Sequence, residues 1–468
     1  MSEDTRRPGE EAARWPGEWV AERLGVRLED GARPVGAGLS DLVGLAVRRN
    51  PKRAHLLVST VLGKHVPTDP RLVYGSGLLL GDLVRVALLG GTVDHGGLLS
   101  EALKGRPGAA AGLRDLFRAP RAPVDAAVLG YAETATALGH AVADSLGGAY
   151  YLHSTRRAVP GFATYGGFEE EHSHATSHLM LPGDPGELDR DVPLVLVDDE
   201  LSTGRTVLNT IEELHAVRPR RHYVVAALVD LRSGADEARM DALARRLNTR
   251  IDAVALARGT VRLPGGVLEA GQKLVAGLHA EDRRGRGAFE VERVDIGWPE
   301  GLPDGGRHGF TPEHRVRLEE ELPRMAARLP VLGRRVLVLG FEELMYAPLR
   351  LAEALADAHP DVAVRYSTTT RSPVLAVDDP GYAIRSRLSF PALDEGDGGG
   401  DGGGGDGGGG GGGGGERYAY NVDQSFDSIV LVVDDVAVQD GGLLARLREL
   451  APVTVATIPA YRGQGERT

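Results

Sequence analysis

The stretch PLVLVDDELSTGRT, residues 193–206, decides how this chain folds. Four apolar residues, Leu194 to Val197, run into Asp198 and Asp199, and a Ser-Thr-Gly-Arg-Thr turn follows. A short unbroken apolar run bounded by turn residues is what a strand covered on both faces requires, so the run predicts a buried parallel strand. Val207, Leu208, Ile211 and Leu214 then recur at helical spacing, which puts the turn on a helix N-terminus. Such a terminus offers unpaired amides and the positive end of the helix dipole, and it binds phosphate without a basic side chain. Gly204 lets the backbone approach closely, while Ser202, Thr203 and Thr206 add hydroxyls. Two carboxylates just upstream would repel a bare phosphate. They suit a ligand that also carries hydroxyls, with a divalent cation to spread the charge. A ribose 5-phosphate meets both demands, its phosphate in residues 202–206 (Arg205 included) and its hydroxyls on Asp198 and Asp199. The rival is an ATPase, whose G-x-x-x-x-G-K-[ST] loop is missing; LGKH at 62–65 ends in histidine.

The whole chain narrows the class. Its 468 residues exceed what one core supports, so two domains are expected. A net charge of −12 argues against nucleic acid as the main ligand. The absence of cysteine removes disulfides, thiolate zinc sites and cysteine nucleophiles together. The N-terminus lacks the apolar core of a signal peptide, and no apolar run is expected to reach the ~18 residues of a membrane helix. A cytoplasmic α/β protein with no membrane partner is the expectation; self-association is left open.

Strands alternate with helices over residues 34–262, which predicts a doubly wound, mostly parallel sheet. Residues 1–33 form a polar N-terminal segment. Residues 263–330 read as a connection ending in a helix that Thr311 caps and Pro312 starts. A second Rossmann-like α/β domain is expected over 331–468. It contains the tract GDGGGDGGGGDGGGGGGGGG at 396–415, which has almost nothing to bury and reads as a disordered insert. The two units share strings: VLGYAE and VLGFEE, STRR at 154–157 and TTRS at 369–372, LVLVDD and LVVDD. Arg156 precedes Asp198 by 42 positions and Arg371 precedes Asp434 by 63, an excess that the 20-residue glycine tract accounts for to within one position. This spacing predicts a duplicated topology. The second copy replaces the phosphate turn by VAVQDGG.

VLVDDELSTGRT resembles the ribose-phosphate signature of type I phosphoribosyltransferases. With NPKRAHLLVSTVLGKHVP, GYAETATALG, YLHSTRR, GFEEEHSHATSH and TTTRSPV, the chain is similar over residues 34–468 to the members found beside tellurite-resistance and stress-response genes. Those carry a C-terminal domain named for a Thr-Arg-Ser-Pro motif. The resemblance implies 5-phosphoribosyl 1-pyrophosphate (PRPP) as donor, magnesium held at Asp198 and Asp199, an unidentified acceptor and a nucleotide-like product. In such enzymes the loop after the first strand holds pyrophosphate, which here selects Gly63, Lys64 and His65, with Arg156 as a further clamp. The polar segment 169–178 falls where the resemblance places a closing lid; Glu170, Glu171, His172, His174 and His178 are its candidate catalytic residues. Tyr131, Glu133 and Thr134 follow a strand end, where open α/β sheets bind ligands; with Arg371 and Ser372 of the second copy they are the candidate acceptor site. A PRPP- or nucleotide-binding regulator without turnover is the alternative from another class.

Overall fold

The apolar run does form a buried strand, but that strand carries both aspartates within it and ends at Leu201. Asp198 pairs with Ala227 and Glu200 with Val229 of the neighbouring strand, so the ladder runs on past the apolar residues into the acidic ones. The computed structural model describes residues 14–48, 53–156, 159, 161–168, 178–278, 287–392, 415–423, 426–434 and 442–461.

The first sheet has six strands: β1 (Arg27–Asp30), β2 (Ala127–Gly130), β3 (Tyr150–His153), β4 (Leu194–Leu201), β5 (His222–Asp230) and β6 (Arg250–Arg262). Their order is β1-β6-β5-β4-β2-β3, parallel throughout except for β1. The chain runs outward from β2 to β3 and then returns to the other side of β2 as β4. That reversal opens a crevice between the carboxyl ends of β2 and β4. The second sheet comprises β7 (Val291–Val294), β8 (Arg335–Gly340), β9 (Ala363–Thr368), β10 (Ser428–Asp434) and β11 (Val453–Ile458), in the order β7-β11-β10-β8-β9, all parallel. The orders β5-β4-β2-β3 and β11-β10-β8-β9 are the same. Doubly wound sheets on one plan are therefore present twice.

The likeness reaches individual hydrogen bonds. Ser154 donates its N–H to Gly130 O and its hydroxyl accepts from the Ala132 N–H. Thr369 and Glu342 repeat this around Gly340. Each outer strand is capped across the domain boundary: Tyr151 of β3 bridges Phe310, and Tyr366 of β9 bridges Thr68. Both capping residues lead directly into a helix, Pro312–Ala326 behind the Thr311 cap and Pro70–Leu89 behind the Asp69 cap. The domains face each other about an internal pseudo-two-fold.

Several expectations need correction. Residues 27–30 of the polar N-terminal segment are not irregular but form the antiparallel edge of the first sheet. Residues 291–294 are not mere connection but the edge of the second. Helix Pro70–Leu89 is long and apolar enough to cross a membrane, with a mean hydropathy of 1.6, contrary to the reading that no run was. Two thirds of that window is buried inside the protein, against helices Thr136–Leu146 and Ala109–Arg118. The glycine tract lies outside the described residues apart from Gly415. Its flanks, Arg387–Pro391 and Glu416–Tyr420, pair as a hairpin whose last rung is Pro391 with Glu416.

Candidate functional site

A cavity of about 500 Å³ opens at the crevice between β2 and β4 and is closed on its far side by the second domain. Asp198, Asp199 and Ser202 form its floor. Asp198 Oδ1 accepts from the Asp199 N–H at 2.9 Å, which fixes the pair's relative orientation. Gly204 takes a left-handed conformation (φ 73°) to start helix Arg205–Val217 and itself has no side chain to cap it, while the Thr203 hydroxyl accepts from the Arg205 N–H at 3.4 Å. Ser202 is the member of residues 202–206 that lines the cavity; Thr203, Gly204, Arg205 and Thr206 form the turn and first helical positions behind it.

The loop Tyr131–Ala135, after β2, forms the next wall. Tyr131, Glu133 and Thr134 all line the cavity. Thr134 is not a helix cap, since the helix starts at Thr136 with Ala135 as cap. Its hydroxyl instead accepts from Lys64 Nζ at 2.7 Å. This geometry revises the pyrophosphate loop. Among the described residues the strand His55–Ser59, which precedes Gly63–His65, pairs only with Val43–Val47 and lies outside the six-stranded sheet. The first parallel strand of that sheet is β2, so the loop in the expected position is 131–135, and Lys64 reaches it from above. Gly63 does not line the cavity; it has φ +72°, and a Cβ there would come within 2.5 Å of the Tyr366 ring. His65 lines the cavity but is buried, with a pKa near 3 from burial and from the Lys64 charge. At neutral pH it brings no positive charge to a phosphate.

The second domain supplies Thr370, Arg371, Ser372 and Pro373 to the same cavity. Arg371 Nε lies 2.9 Å from Glu133 Oε1, close enough for an ion pair though not aligned as a hydrogen bond. Glu133 Oε2 accepts from the Thr370 hydroxyl at 3.3 Å and the Arg371 N–H at 3.4 Å. Arg371 Nη2 donates to Glu342 at 3.0 Å. The pseudo-two-fold returns the contact: Glu343 accepts from the Thr155 hydroxyl at 2.8 Å and the Arg156 N–H at 3.2 Å. Each domain thus holds the other's strand-end glutamate with a Thr-Arg pair. Arg156 also lines the cavity.

Glu170, Glu171, His172 and His174 lie outside the described residues. His178, expected on the lid, is fully buried at its base in the strand His178–Met180, which pairs with Gly166–Phe168. Its Nδ1 is 2.9 Å from the Ser154 hydroxyl, the group that also accepts from the Ala132 N–H. It therefore supports the 131–135 loop from behind and does not line the cavity.

Three charged residues of the cavity went unassigned in the sequence: Arg48, Arg53 and Glu200. The hairpin Val43–Val47/His55–Ser59 carries the arginines over the end of β4, where Arg53 Nη2 meets Glu200 Oε1 at 2.9 Å. The run RRNPKR at 48–53 was their signal.

A family model described as phosphoribosyl transferase matches residues 42–260. A second, described as the TRSP domain C-terminal to that transferase, matches residues 304–447. The chain is a phosphoribosyltransferase of this two-domain family. It is a pentosyltransferase, and its Thr370-Arg371-Ser372-Pro373 is the motif from which the second domain takes its name. No curated protein matches the sequence. Among solved structures, adenine phosphoribosyl transferase from Trypanosoma brucei is 19% identical with a TM-score of 0.24, over 35% of this chain and 68% of that one. The Giardia lamblia enzyme is 20% identical with a TM-score of 0.23, over 34% of this chain and 84% of its own. Similarity at this level says nothing about the acceptor of this transferase.

Proposed function

We propose that the cavity takes PRPP with magnesium and transfers its phosphoribosyl group to a nitrogen-bearing acceptor. The observation that carries this reading is the pairing of two adjacent carboxylates near the end of β4 with a helix N-terminus that opens on Gly204, at the sheet's reversal point. Residues 202–206 take the 5-phosphate and Asp198 with Asp199 the ribose hydroxyls. Lys64 and the 131–135 loop face the pyrophosphate. In the reaction the acceptor nitrogen bonds to C1, the C1–O bond breaks, and pyrophosphate leaves with the electron pair while the nitrogen's proton passes to water. Lys64 neutralises charge as it develops on the leaving group.

Among the described residues no cluster of three His, Asp or Glu side chains is placed to hold a metal. Two adjacent carboxylates beside a phosphate site fit an ion that arrives with its phosphate ligand better than one held by protein alone. Bound there, magnesium would screen the phosphate oxygens from Asp198 and Asp199. The test is pyrophosphate release from PRPP and magnesium against a panel of nitrogen bases and amines. PRPP binding without release across the panel would favour the regulatory alternative; absence of PRPP binding would end the transfer reading and leave only a nucleotide-binding regulator.

A further inference from the structure

The hairpin wall of the cavity is chemically unlike the rest. Once the 5-phosphate, ribose and pyrophosphate are assigned to the turn, the aspartates and the Lys64 side, the wall built by residues 43–48 and 53–62 is left for the acceptor. It is apolar, with Leu56, Leu57 and Leu62, and Pro373 of the second domain joins it. It is also cationic. Arg53 is compensated by Glu200 at 2.9 Å, and Arg371 by Glu133 and Glu342. Arg48 makes no ion pair within 4 Å among the described residues, Glu200 acting on it only at longer range, and its Nε is buried without a hydrogen-bond acceptor. A half-buried guanidinium beside a second arginine is costly unless an anion meets it. Burial and the Arg53 charge accordingly lower its pKa. Its backbone bridges Val374 next to the TRSP motif, and its N–H donates to Ala54 O at 3.2 Å.

We propose that the acceptor is a flat anionic molecule, a carboxylated aromatic amine or heterocycle, whose carboxylate is taken by Arg48 while its ring lies against the hairpin leucines. The proposal rests on the phosphoribosyl-transfer reading for the role of the ligand, but the anion site itself can be tested without it. Arg48 makes no side-chain hydrogen bond or ion pair among the described residues, so Arg48→Gln should fold, and Arg48→Lys retains the charge.

The experiment titrates matched acid and amide pairs, benzoate with benzamide and 2-aminobenzoate with 2-aminobenzamide, into the full chain with and without PRPP and magnesium. PRPP affinity is measured in parallel. The wild type should bind each acid at least tenfold more tightly than its amide. Arg48→Gln should abolish that preference and Arg48→Lys restore part of it, with PRPP affinity within twofold of wild type in both. Equal binding of acids and amides, no binding of either acid, or a preference that survives Arg48→Gln would overturn the proposal. So would a loss of PRPP affinity in Arg48→Gln, which would assign the arginine to pyrophosphate. Failure of the wild type to bind PRPP while the acid preference holds would sink the transfer reading and leave the anion site standing.

Discussion

Glu133 and Arg371 are 238 positions apart in sequence and in contact across the domain boundary. Both are largely buried, with side-chain exposures of 7% and 25%. Removing Arg371 takes away the ion pair of a buried Glu133, while removing Glu133 leaves Arg371 its Glu342 contact, so the losses of Glu133→Gln and Arg371→Gln should sum to more than that of the double variant. Urea unfolding of the cycle should give a coupling of about 1 to 3 kcal/mol; additive losses would mean that the contact is incidental. Gly63→Ala forces a methyl group into the Tyr366 ring at a left-handed position and should destabilise the protein by about 2 to 4 kcal/mol in the same assay. His65 sets a pH dependence. Its folded pKa is about 3, while the unfolded chain titrates near 6.5, so between these values the unfolded state holds the extra proton. Stability is then full above pH 6.5 and falls on acidification, by about 1.4 kcal/mol per pH unit for this histidine. His65→Gln should flatten the decline in urea midpoint between pH 6.5 and 5.5; an unchanged slope would mean that the buried ring does not stay neutral.

Elements were legible in the sequence where their signal is local. The strand 194–201, the turn and the helix from Arg205 could be read within fourteen residues, because an apolar run, acids and a glycine turn follow one another there. The Thr311 cap and Pro312 start were equally plain, and the helix lies there. The edge strands were not. Arg27–Asp30 reads RLED and Val291–Val294 reads VERV, and strands so short and polar show no apolar run, since an edge is covered on fewer sides. The duplication was visible because both copies keep a glycine at one strand end and a Ser/Thr at the next, where the same hydrogen bonds form. Arg48 and Arg53 were missed because a basic run is most often a solvated face, and only the hairpin's fold over β4 turns it inward. The paired flanks of the glycine tract predict a further outcome. Shortening the tract to a few residues should leave the hairpin intact, since closure entropy changes only ~0.6 kcal/mol per doubling of loop length. A drop in unfolding free energy beyond 1 kcal/mol would mean that the tract has contacts of its own.

At the scale of the molecule, the second domain is a copy turned to face the first, and it gives part of its motif to the first domain's cavity. That arrangement was hidden from sequence reasoning because the contacts that define it pair residues of opposite halves: Tyr151 with Phe310, Tyr366 with Thr68, Thr155 with Glu343 and Thr370 with Glu133. Each half caps the other's outer strand, so neither sheet is complete alone. Calorimetric unfolding should accordingly show one cooperative transition for both domains, and two separated transitions would contradict the interlock. The central claim, however, concerns the cavity that this interlock encloses, and titration calorimetry with PRPP and magnesium tests it most directly. The wild type should bind PRPP at one site per chain. Asp198→Asn with Asp199→Asn should weaken binding by several kcal/mol, since hydrogen bonds to ionised groups count ~1.5–3 kcal/mol each. Unchanged PRPP affinity in that double variant would contradict the account.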